Sequence, residues 1–86
     1  MPELSRFYGI VVGMYYREHG VPHFHARLAE HDASIAIEDL SVLEGSLPPR
    51  ALRLVREWAA LHRVELEQNW RRARAEDPLS EIDPLP

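Results

Sequence analysis

An α+β domain is the fold this sequence predicts, and three observations carry the prediction. Up to about residue 45, short β-branched and aromatic runs are broken by glycine and proline; from Pro48 the apolar residues recur at three- and four-residue spacing; Asp77-Pro78 then ends that spacing. The expected architecture is an antiparallel β-meander of three to four strands over about residues 7–45, packed on one face by a long C-terminal helix over 48–76, with an extended tail over 77–86. With 86 residues the chain is expected to form a single domain. A chain of this size buries only about 60% of the surface its unfolded form exposes, so its stability is modest unless a partner adds buried area.

The first strand is expected over Gly9–Tyr16, ended by the polar stretch Arg17-Glu18-His19-Gly20-Val21-Pro22, where proline also biases Val21 towards extended backbone. A second strand runs from about His23 to Ala29, an acidic turn at Glu30-His31-Asp32 closes it, and Ala33–Glu38 forms a third. Ser41 to Gly45 supplies a short fourth. Alternation puts Phe24, Ala26 and Leu28 on one face and His23, His25 and Arg27 on the other. The register that keeps Ile35 and Ile37 on the apolar side pairs His23 with Glu38, His25 with Ala36 and Arg27 with Ser34, so a carboxylate is expected across from the first histidine. Ile10, Val12, Met14 and Tyr16 are placed in the core, which leaves Val11, Gly13 and Tyr15 beside the histidines.

Pro48 and Pro49 suit a helix start, and Ala51, Leu54, Val55, Trp58, Leu61, Leu66 and Trp70 form the apolar stripe of an amphipathic helix, or of two in series. An unbroken helix from Pro49 to Ala75 would span about 40 Å, so a bend is expected near His62. His62 falls in the stripe and is expected to be buried and hydrogen-bonded to the sheet or tail. The arginines of this segment, among them Arg53, Arg56, Arg63, Arg71 and Arg74, read as a solvated face. In the tail, Leu79, Ile82 and Leu85 are regularly spaced anchors that fit either the domain's own helix or a partner.

Composition narrows the function classes. The chain has no cysteine, so disulfides and thiolate metal sites are excluded and any metal would be held by His, Asp and Glu. A net charge of −4 gives no general support to RNA binding, which usually rests on a basic surplus. No apolar run approaches the ~20 residues of a membrane span, and no signal segment is recognisable, so the expected compartment is the cytoplasm, with no membrane partner.

The chemistry-bearing motif is Pro22-His23-Phe24-His25-Ala26: on a strand its two imidazoles lie about 7 Å apart on one face, close enough to share a metal ion, a phosphate or a carboxylate. In a catalytic reading His23 and His25 are an acid and base pair, Arg27 holds an anion, and Tyr15 or Glu38 orients an imidazole, as metal-free RNA cleavage would need. Two histidines on one strand approach a substrate from the same side, however, whereas in-line displacement needs acid and base on opposite sides. In a metal reading His23 and His25 are joined by Glu38 or His19 around a divalent ion, zinc or nickel. The first reading needs no cofactor. A third reading is a docking face made of Val11, Tyr15, His23, His25 and Arg27, and the plainest is that both histidines are solvated polar residues.

From Ser5-Arg6-Phe7-Tyr8-Gly9 through the histidine motif, Leu43-Glu44-Gly45, Glu57-Trp58 and Leu61-His62 to Ile82-Asp83-Pro84-Leu85, the chain resembles the small bacterial proteins of domain of unknown function family 4160. The resemblance implies a compact α+β fold and a neighbouring gene for another small protein, an arrangement suggestive of a two-protein, toxin–antitoxin module. The expected partner is therefore that small protein, acting on the histidine face, with a homodimer as a further expectation. Gly13 stands where relatives commonly carry a basic residue, and Glu18-His19 where they have Asp-His. Loss of a cation beside His25 weakens a phosphate-binding role for that strand.

Overall fold

The computed structural model describes residues 1–86, and its chain lays down five antiparallel strands in sequence order: β1 (Glu3–Phe7), β2 (Ile10–Gly13), β3 (His23–Leu28), β4 (His31–Ala36) and β5 (Val42–Gly45). Two helices follow, α1 (Pro49–Leu61) and α2 (Arg63–Arg74). The α+β class and meander order agree with the sequence; the sheet has one more strand than expected and the long helix is two. No helix is long and apolar enough to cross a membrane.

The additional strand is β1. Its sequence hides it because a bulge between Glu3 and Ser5 breaks the alternation and turns both Leu4 and Ser5 inward. A two-residue turn, Tyr8 and Gly9 both at positive φ, joins it to β2 and matches the twist of the flanking strands. β2 ends at Gly13, earlier than expected, because Met14 N–H donates to Pro2 O and the chain then leaves the sheet. Gly13 makes this crossing feasible: a Cβ there would lie 2.4 Å from Pro2 O and 2.8 Å from the Met1 side chain.

The β3–β4 hairpin corrects the expected register. Its turn is the two residues Ala29 and Glu30, so His31 and Asp32 belong to the strand. His23 pairs with Ala36, His25 with Ser34 and Arg27 with Asp32. The shift is two residues, which preserves every face but removes Glu38 from opposite His23: Glu38 is exposed beyond the end of β4. The tighter turn adds a pair to each strand and keeps Phe24, Ala26, Ala33 and Ile35 inside.

Those residues meet the helices in one core. Trp58 of α1 is fully buried, with Phe7 and Phe24 against it at ring-centroid distances of 5.4 and 6.0 Å. The helix is interrupted at His62, where φ −122° and ψ 27° end α1 before α2 resumes. A straight helix over this segment would be about 39 Å long, more than the 33 Å longest extent of the Cα framework. His62 is only part-buried; it stacks on Trp58, and its Nδ1–H donates to Glu65 Oε1 at 2.6 Å, not to the sheet or tail. The five arginines read as a solvated face are exposed.

The tail docks on its own domain. Asn69, 1% exposed on α2, donates from Nδ2 to Ser80 O at 2.9 Å and accepts from Ser80 N–H at 2.8 Å. Further along, Ile82 N–H donates to Leu4 O, Trp58 Nε1–H to Asp83 O and Tyr8 O–H to Pro86 O.

Candidate metal centre on the second sheet face

Val11, Gly13, His25, Ser34 and Glu44 form a register-linked surface on the sheet face turned away from the helices, with His23 and Arg27 two residues either side of His25. This face is less open than alternation alone suggests. Met1 and Pro2 lie across Gly13, and the loop from Met14 to Pro22 folds over the start of β3, leaving His23 only 8% exposed. The loop is held at both ends: Arg17 N–H donates to Ala73 O at the end of α2, and Pro22 O accepts from Ile37 N–H.

That anchored loop delivers Glu18. One carboxylate oxygen, Oε1, lies 3.1 Å from His23 Nε2 and 2.5 Å from His25 Nε2. The three ligand atoms all fall within 4.8 Å of one another. His23 Nδ1–H donates to Val21 O at 2.8 Å, which fixes the ring orientation and the tautomer. With the proton on Nδ1, the neutral ring turns its Nε2 lone pair towards Glu18 Oε1. A lone pair facing a carboxylate is repulsive unless a positive charge, either a proton or a metal ion, lies between them. The His23 and His25 ring centroids are 5.1 Å apart, and Trp70 of α2 packs on His23 at 5.1 Å.

The expected site residues divide. His23 and His25 are together as read, and Tyr15 is at the site, its ring edge-on to His25 at 4.9 Å. Arg27 is on the same face but lines an adjoining pocket of about 130 Å³ with Tyr15, His25 and Asp32, the last two of which also border the pocket beside the cluster. Glu38 is not part of the cluster, and Glu18 takes the place assigned to it. His19 lines the pocket beside the cluster without joining the converging atoms. That pocket, about 320 Å³, is completed by Asp32, Ser34 and Glu44 and has no apolar or arginine lining. Glu18 carries little signal in the sequence, since only the closure of the loop brings it back over β3; its sole cue is an acidic residue beside the strand that carries His-X-His.

The sequence pattern of the family described as domain of unknown function (DUF4160) matches residues 9–71, a span that includes Glu18, His23 and His25. No curated protein and no solved structure matches the chain.

Proposed function

This chain belongs to the domain of unknown function (DUF4160) family, and from that premise, which brings no activity with it, we propose that it is a metal-binding protein holding one divalent ion, zinc or nickel, through Glu18, His23 and His25. The observation that supports this reading is the convergence of two Nε2 atoms on one carboxylate oxygen, with His23 already oriented by a backbone carbonyl. Zinc bonds to nitrogen and oxygen near 2.1 Å place tetrahedral ligand atoms about 3.4 Å apart, a spacing that small side-chain rotations can reach from this arrangement. Two imidazoles and one carboxylate leave at least one coordination position for water or a ligand on the pocket side.

The test is a competition titration of untagged protein against a chromophoric chelator, with cobalt(II) spectra to report the coordination number. The native chain is expected to bind one equivalent of zinc, and Glu18→Gln, His23→Ala and His25→Ala each to weaken it by at least about tenfold. No binding by the native chain, or equal binding by all three folded variants, would overturn the reading.

A second reading has its own support. Tyr15, Tyr16 and Val21, 41%, 41% and 54% exposed, rim the same loop as Glu18. In this reading the face is covered by the small protein of an adjacent gene, as one component of a two-protein, toxin–antitoxin module. Co-expression with that neighbour and co-purification, abolished by Tyr15→Ser/Tyr16→Ser, would support it; separate elution of the two native proteins would exclude it.

A further inference from the structure

The pocket beside the three ligands has a chemical preference of its own. Asp32 and Ser34 are neighbours on the same face of β4, and Ser34 pairs with Glu44 across the adjoining strand. All three line the 320 Å³ pocket. Ser34 is 8% exposed as a residue, and its hydroxyl makes no hydrogen bond within the protein but is open to solvent on the pocket side, between the exposed Asp32 and Glu44. The two carboxylates are likewise in no ion pair; Arg27, opposite Asp32 in register, forms no salt bridge with it and belongs to the neighbouring pocket.

We infer that this pocket binds a primary ammonium group, held by Asp32, Ser34 and Glu44, on a ligand that reaches the ion at Glu18, His23 and His25. An ammonium carries three donors and no acceptor, which matches two carboxylates and one hydroxyl on adjoining strands. Asp32 and Glu44 lie outside the three converging ligands, so their carboxylates are left to recognise a group on a molecule bound at the ion. The charge balance points the same way: a divalent ion with Glu18 has net charge +1, and Asp32 and Glu44 then return the pocket to −1. A phosphate entering it would meet two carboxylates and no guanidinium. The ammonium could come from a free amine or from a lysine side chain, and both present the same group to the site.

This inference rests on the metal reading, so the experiment separates the two. Zinc affinity is measured first, for the native chain, Glu44→Gln and Asp32→Asn; all three are expected to agree within about threefold, since neither residue is a ligand. Zinc-loaded protein is then titrated calorimetrically at pH 7 with 1,4-diaminobutane, with the blocked peptide acetyl-Gly-Lys-Gly-amide, and with phenyl phosphate. Saturable binding of the diamine or the peptide, weakened about tenfold by Glu44→Gln and absent in the double variant, supports the proposal; the tighter ligand identifies the source. Amine binding unchanged in the double variant, no amine binding, or tighter binding of phenyl phosphate overturns it while leaving the metal site standing. Failure of the native chain to bind zinc removes both.

Discussion

Replacing Asn69 by alanine should release the C-terminal tail. The side chain closes a pair of hydrogen bonds with the backbone of Ser80, at 2.8 and 2.9 Å, from a position 1% exposed on α2. Truncation leaves the Ser80 N–H and C=O without partners unless the tail lifts into water. The two bonds are part-buried, so each orphaned backbone group costs towards the lower end of about 1–3 kcal/mol, and a total near 3 kcal/mol is the upper expectation. Against the roughly 4–13 kcal/mol typical of a domain this size, that is a large fraction, and it corresponds to a fall in Tm of roughly 12–24 °C. Urea unfolding supplies the free energy, and hydrogen exchange at Ile82, whose N–H is bonded to Leu4 O, reports the tail directly. Ser80→Ala is the control: it removes only the hydroxyl that accepts from Arg72, an exposed contact, and should change stability by less than about 0.5 kcal/mol. A loss below 1 kcal/mol in Asn69→Ala, with Ile82 still protected, would refute the argument that this side chain fastens the tail.

Three further outcomes are expected. Gly13→Lys, which places a cation beside His25, should destabilise by about 1–3 kcal/mol, because its Cβ would meet Pro2 O at 2.4 Å; urea unfolding and exchange at Met14 N–H check it. Glu38→Gln should leave zinc affinity unchanged while Glu18→Gln weakens it, read in the same chelator competition. Asp39 is held below the usual carboxylate range by the Ser41 hydroxyl first and the Ser41 N–H second. Its contribution to stability is therefore present above the unfolded pKa and lost as pH falls through the lower folded value. Ser41→Ala should move that loss to higher pH, as an NMR titration of the Asp39 carboxyl carbon would show.

Period-two alternation was enough to place His23, His25 and Arg27 on one face and Phe24 and Ala26 in the core, because a strand with one buried face admits no odd-numbered slip. It could not distinguish registers two residues apart, which keep every face unchanged; the choice depends on whether the turn has two residues or four, and Ala29-Glu30 carries no glycine or asparagine to announce the shorter one. Alternation therefore puts Glu38 opposite His23, where the structure has Ala36, and it does not reach Glu18, because a loop side chain is positioned by tertiary anchors such as Arg17 N–H on Ala73 O. β1 was hidden by its bulge. The helix break at His62 was legible from length alone, whereas the docking of the tail was not, since one buried asparagine decides it and polar residues on helices are mostly solvated.

The packing of Trp70 on the imidazole of His23 gives the site an optical readout. Indole emission is quenched by a charged imidazole and responds to a metal ion bound beside it, and the two rings are 5.1 Å apart between centroids. The other indole, Trp58, is sealed in the core, with its N–H occupied by Asp83 O. A Trp58→Phe variant would leave Trp70 as the sole emitter, so that ion entry, proton entry and loop opening could each be followed in the unlabelled chain by intensity, wavelength and lifetime.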